Sequence, residues 1–227
     1  MKRSWKYLLC TVVAFANIHA SQAQMSFTQV ERMISIDLPD GLREETSGDT
    51  GQFSRDLEGS WSDNGVFLSA SASQNSDISS GRIEAVSALS TGGGDARSRL
   101  SVEFTVDQTT HFSLSGNATC EFATGADSYV GLASTTGETF FNYKCVADTG
   151  FDMSGVLPAG TYRFGSDAIV RDFQNQGSSA GFTYQFHVST IPEPSSFVSL
   201  FSIIFVVRPV LFQRNPRRRR RRERIEG

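Results

Sequence analysis

Histidine, cysteine and lysine are scarce in this chain, and each shortage removes a class of chemistry. There are three histidines in 227 residues, and only His111 and His187 fall between Gln24 and Thr190. Nucleophilic catalysis needs a base beside the nucleophile. Both histidines lie in alternating apolar–polar stretches, where a surface position is expected. No Gly-x-Ser-x-Gly elbow, His-Glu-x-x-His pair or phosphate-binding glycine loop occurs. No Cys-x-x-Cys and no histidine cluster suggests a metal or redox centre. Glycosidase chemistry requires two carboxylates at a fixed separation, and no pair stands out among the many acids. Also missing is any apolar repeat of helical period between Gln24 and Thr190. The expectation is a non-enzymatic protein with no catalytic residue, cofactor or metal; a secreted hydrolase is the least favoured alternative.

The near-neutral net charge of −3 conceals a strong segregation. Lys2, Arg3 and Lys6 stand at the start, and Arg208, Arg214, Arg217 to Arg222 and Arg224 at the end. The stretch between carries about 9 basic and about 21 acidic residues, a net charge near −12. Such a body does not suit direct binding of nucleic acid or anionic lipid. It suits an exported domain, or one that takes up divalent cations.

The first 23 residues have the layout of a secretory signal. Lys2, Arg3 and Lys6 form a positive start, Leu8 to Ala16 an apolar segment, and Ser21-Gln22-Ala23 a small-residue cleavage site. Cys10 lies inside the apolar segment, which does not fit a lipoprotein anchor. Residues 24–190 then make one domain, large enough for a real core. Its two cysteines, Cys120 and Cys145, read as a disulfide in an oxidising compartment. Closing a loop of about 25 residues stabilises by roughly 3–4 kcal/mol in the chain-entropy model.

What recurs along the body is period two. Ile34, Ile36 and Leu38 alternate with Ser35 and Asp37 up to Pro39, where a strand ends. Asp40 to Gln52 is polar, holds three glycines and reads as a long loop. Phe53 to Trp61 and Val66 to Ala72 flank Asp63-Asn64-Gly65, and Asn-Gly is a strong hairpin signal. A further stretch runs from Arg82 to Leu89. The clearest strand turns Ala96, Ser98, Leu100, Val102, Phe104 and Val106 one way and Arg97, Arg99, Ser101, Glu103 and Thr105 the other. Phe112 and Leu114 lead to an end near Gly116-Asn117. Tyr129 to Ala133, Thr139 to Val146, Thr161 to Val170 and Phe182 to Val188 follow. Short strands with one apolar face mean an all-β fold, an antiparallel β-sandwich, jelly-roll-like, of roughly 8 to 11 strands. Leu157-Pro158-Ala159-Gly160-Thr161-Tyr162 has the spacing of a tyrosine corner, a structural feature that ties a strand start to the upstream backbone.

Two features of the body are candidate contacts. Trp61, its only tryptophan, could stack on a sugar ring or lie buried between the sheets. Calcium needs several oxygen ligands in a short span. Asp148, Asp152 and Ser154 around Gly150, or Asp56, Glu58 and Asp63, could supply them. Neither set has EF-hand spacing, and solvated acids are the default.

Residues 191–227 carry the most specific signal. Pro192-Glu193-Pro194 precedes an apolar run from Phe197 to Val207, which as a helix covers about 16 Å. Continuing to Phe212, with Arg208 snorkelling, approaches a membrane span. The basic block Arg217, Arg218, Arg219, Arg220, Arg221 and Arg222 then fixes the cytoplasmic side. This ordered triple of motif, single hydrophobic helix and arginines resembles the PEP-CTERM sorting signal of exported bacterial proteins. The resemblance implies recognition of Pro192, Glu193 and Pro194 by an exosortase, a membrane-embedded transpeptidase. It implies a transient membrane anchor, then delivery of the body to the cell surface or exopolysaccharide matrix. A plain anchor without processing is the bland alternative. For the body, a carbohydrate-binding module of that matrix is the alternative to a surface protein without a ligand.

Overall fold

The computed structural model describes residues 25–121, 125–145, 149–171 and 177–191. The secretory signal, Asp148, the Pro192-Glu193-Pro194 motif, the apolar span and Arg217 to Arg222 lie outside the described residues. Among the described residues no helix is long and apolar enough to cross a membrane.

Among the described residues, twelve strands form two six-stranded sheets packed face to face. The first sheet runs, edge to edge, β2 (Gly41–Ser47), β1 (Met25–Leu38), β6 (Asp95–Val106), β11 (Gly160–Arg171), β8 (Ala126–Ser134) and β9 (Thr139–Lys144). The second runs β10 (Thr149–Leu157), β7 (Thr110–Cys120), β12 (Ser178–Thr190), β5 (Arg82–Gly92), β4 (Val66–Ser79) and β3 (Gly51–Asp63). Every strand pairing is antiparallel. The all-β, two-sheet expectation therefore holds.

The core follows from side-chain alternation. On β6 the six residues Ala96, Ser98, Leu100, Val102, Phe104 and Val106 are all buried. Opposite them, Phe182, Tyr184, Phe186 and Val188 of β12 point inward. Phe186 meets Phe164 of β11 at 5.0 Å and Phe104 at 5.8 Å between ring centroids, and Phe164 meets Tyr184 edge-on at 5.1 Å. These distances fall in the favourable range for aromatic pairs. The central strands of both sheets are thereby locked together.

Polar links cross the same interface. Ser166 and Tyr184 share a hydrogen bond of 3.0 Å, and Ser128 donates to the Gly181 carbonyl at 3.0 Å. Burial pushes the Tyr184 hydroxyl well above the ordinary tyrosine range. Arg32 is buried on the inner face of β1; its Nη2 donates to the Gly51 carbonyl at 2.6 Å and its guanidinium lies over the Phe53 ring. Cys120, at the end of β7, is bonded to Cys145, just past β9, with their Cα atoms 6.2 Å apart. The expected disulfide is thus an inter-sheet bridge.

The sequence reading needs three corrections. Asp40 to Gln52 is not a long loop: Gly41–Ser47 forms β2, paired with β1 from Arg32↔Ser47 to Leu38↔Gly41. As a largely exposed edge strand it needs no apolar alternation, so period two is silent there. Gly116-Asn117 does not end β7, which pairs with β12 as far as Cys120↔Ala180. Gly116 is a close-approach position instead; a Cβ there would strike the Thr183 carbonyl and Tyr184. The third miss is β10, another edge strand, read as acids around a glycine. With β2 and β10 the described strands number twelve, above the eight to eleven expected.

Two local signals were read correctly. Asn64 and Gly65 have φ of 48° and 81° between the paired Asp63 and Val66, the backbone of a type I′ turn. At the end of β10, the Tyr162 hydroxyl donates to the Pro158 carbonyl at 2.6 Å, four residues upstream, with the ring buried against Phe104 and Phe140. That is the tyrosine corner. Replacing Tyr162 by Phe is expected to lower stability by about 0.5–1.5 kcal/mol, because one hydrogen bond is lost and little volume. Chemical denaturation of the variant and wild-type bodies measures it; identical midpoints would mean that the bond contributes nothing.

Candidate functional site

The strand register builds a shallow site on the outer face of the first sheet. Consecutive outward residues of β6 are Asp95, Arg97, Arg99, Ser101 and Glu103, because their neighbours are committed to the core. Pairing with β11 sets Ser101 beside Gly165, and pairing of β11 with β8 sets Gly165 beside Gly131. Ser101, Gly165 and Gly131 are therefore level with one another across three strands. The next level on one side holds Glu103, Arg163 and Ala133; on the other it holds Arg99, Asp167 and Tyr129. The result is a trough of about 320 Å³ running across the strands.

Tyr129 is folded over the Gly131 backbone; a methyl group at Gly131 would collide with the tyrosine ring and hydroxyl. Tyr129 as a whole is 37% exposed and lines the trough. Charged pairs line the two sides. Arg97 makes a two-pronged contact with Asp167, with Nε–Oδ1 at 2.9 Å, and this bond raises the arginine's pKa against the opposing effect of burial. Arg163 donates to Glu103 at 3.1 Å, while Arg99 stands 3.8 Å from Glu31. Bidentate pairing holds Arg97 and Asp167 in one orientation, yet both keep unused hydrogen-bonding capacity.

One end of β6 carries an acid under strain. Asp95 pairs in register with Asp37 on one side and Arg171 on the other. Burial raises its pKa first, the Asp37 charge adds to this, and Arg171 opposes both.

The residues singled out from sequence lie elsewhere. Trp61 is half-buried on the inner side of β3, across from Leu68 near the hairpin tip, and is not on the trough. His111 and His187 are exposed, as expected, on the outer face of the second sheet. Asp56 and Glu58 point outward from β3, whereas Asp63 falls on the opposite side by the two-residue period. Asp152 and Ser154 are exposed on edge strand β10. Among the described residues no three His, Cys, Asp or Glu side chains gather as metal ligands. The trough itself was missed. Its only trace in the sequence is the outward row Arg97, Arg99, Ser101 and Glu103; Asp167, Tyr129, Gly131 and Gly165 join it only through strand order.

Neither a protein-family model nor a curated protein matches the chain. Solved structures give distant likenesses only. A chain in the structure of infectious bursal disease virus Gx strain shares 11% identity at a TM-score of 0.30, over 78% of this chain and 59% of its own. The enzymatically active domain of bacteriophage CBA120 tailspike protein 4 shares 14% at 0.26, over 60% of this chain and 19% of its own. The CBM22-1 xylan-binding domain of Paenibacillus barcinonensis Xyn10C shares 9% at 0.24, over 62% and 87%. The chain thus spans about a fifth of the tailspike chain and three fifths of the viral one. At such scores these likenesses carry nothing about ligand or activity.

The Asp95 environment predicts a pH effect. A carboxyl whose folded pKa is raised holds its proton more tightly when folded, so ionisation subtracts stability. The favourable contribution is complete below the unfolded value of about 3.9 and is lost as pH rises through the folded value. Asp95→Asn should therefore melt higher than wild type at about pH 7, with the gap closing as pH falls toward about 4. Thermal melts across that range check it; a gap that widens on acidification would reverse the sign.

Proposed function

We propose that this is an exported, non-enzymatic protein of the cell surface or extracellular matrix, delivered by a PEP-CTERM-type tail. The observation that carries this reading is where the last described strand ends. β12 is hydrogen-bonded to β7 through Thr190↔Thr110, and Pro192 follows two residues later. A cut at the Pro-Glu-Pro element would leave every described strand, every described core residue and the disulfide in the released body. The inter-sheet Cys120–Cys145 bridge supports an oxidising compartment. In this reading residues 1–23 are the export signal, Pro192, Glu193 and Pro194 are what an exosortase reads, and the helix with Arg217 to Arg222 is a transient anchor. The winding supports the jelly-roll form of the sandwich: β5-β12-β7-β10 face β6-β11-β8-β9, the order of two Greek keys. A carbohydrate-binding body is a second reading, and the Tyr129 trough favours it over a role for Trp61.

Glu193→Ala is expected to leave the protein exported but held at the membrane with its tail attached. Immunoblots of membrane and surface fractions, resolved finely enough to see loss of the tail, measure it. Normal processing of the variant would sink the sorting account.

A further inference from the structure

We propose that the trough across β6, β11 and β8 binds a neutral polysaccharide, with Tyr129 as the stacking platform. This deepens the carbohydrate-binding reading by naming the site and the class of sugar, and it does not depend on how the tail is processed.

Three properties of the trough lead there. The first is shape. The floor is backbone and small side chains at Ser101, Gly165 and Gly131, level with one another across three strands. Adjacent strands are about 4.8 Å apart, so the floor is roughly 10 Å long, room for a short run of pyranose rings. Register continues the same level to Glu31 on β1 and Asn142 on β9. An extended chain molecule would thus cross the strands.

The second is the aromatic surface. The hydroxyl end of Tyr129 is seated over Gly131, and the exposed side chain lines the trough, where it offers aromatic surface to a ligand. A pyranose offers a face of C–H groups that packs on such a ring, while its hydroxyls point to the rim. A tyrosine held this way loses little freedom on binding, since the backbone beneath already fixes its orientation.

The third is charge. The rim arginines are matched by acids: Arg97 with Asp167, Arg163 with Glu103, and Arg99 near Glu31. The rim cations are thus offset by acids in the lining (Asp167) and just beyond it (Glu103, Glu31), and the acidic body as a whole repels polyanions. Fixed donors and acceptors side by side suit neighbouring hydroxyls, which both give and accept hydrogen bonds. The lining holds three arginines to one acid, but each arginine has a carboxylate beside it, and a uronic-acid polymer would have to displace those carboxylates.

Native affinity electrophoresis tests this with the body ending at Thr190, which contains every described strand, the described core and the disulfide. The gels hold galactomannan, xyloglucan, laminarin or hydroxyethyl cellulose as neutral polymers, and polygalacturonate as the acidic one. Retardation by at least one neutral polymer is expected, with about tenfold weaker binding for Tyr129→Ala, the size of effect that truncating an aromatic anchor produces. Gly131→Ala, which pushes the ring off its seat without removing it, should weaken binding too. Trp61→Ala should bind as wild type does. Thermal melts of each variant separate lost binding from lost folding. No retardation in any neutral gel, retardation by polygalacturonate alone, or binding indifferent to both Tyr129→Ala and Gly131→Ala would each overturn the proposal. Normal processing of the Glu193 variant would leave it standing, so the two readings fail separately.

Discussion

Everything in the body depends on the contact between Phe186 of β12 and the pair Phe104 and Phe164 of β6 and β11. Those three rings lie at the middle of both sheets and set how the sheets face each other. Burial of each large apolar side chain contributes on the order of 1.5–3 kcal/mol, and ring–ring geometry adds to it. With inner residues of β6 and β11 fixed, their outward neighbours have no choice of direction. The trough on the far side is thus a consequence of the core.

That coupling explains why the site is built from strands and not from loops. A side chain on a central strand is held by ladders on both sides, so Arg97, Asp167 and Tyr129 keep their relative positions without a ligand. The ion pairs on this face, Arg97–Asp167 and Arg163–Glu103, are exposed enough that their stabilising effect is small. Their consequence is positional: each cation is kept beside an acid that offsets its charge.

The interior is less uniformly apolar than the strand pattern suggests. Arg32, Gln74, Ser76, Ser98 and Ser166 are buried on inner faces alongside the aromatic centre. Some of these groups are satisfied across the interface, as in Ser166 with Tyr184 and Arg32 with the Gly51 carbonyl. Such directional bonds favour one registration of the two sheets, because an alternative packing would leave buried donors unpaired. The Cys120–Cys145 bridge fastens the sheets near β7 and β9, away from the Arg32 cluster.

The sequence by itself determined the strand-rich class, most strand positions, the Asn64-Gly65 turn, the tyrosine corner and the cysteine pair. Each rests on a local or period-two signal that survives without knowing the partner strand. Edge strand β2 escaped because an exposed strand carries no apolar alternation; β10 does alternate, with Phe151, Met153 and Leu157 inward, but its glycines and intervening polar residues obscured the pattern. The tertiary structure alone decided which strands are neighbours. Only when β11 lies between β6 and β8 do Ser101, Gly165 and Gly131 become one floor, although 34 positions separate Gly131 from Gly165. Only then does Asp167 reach Arg97; the seat of Tyr129 on Gly131, two residues along the same strand, is by contrast local. Cross-strand adjacency is a property of pairing order, and no local pattern in the chain encodes it.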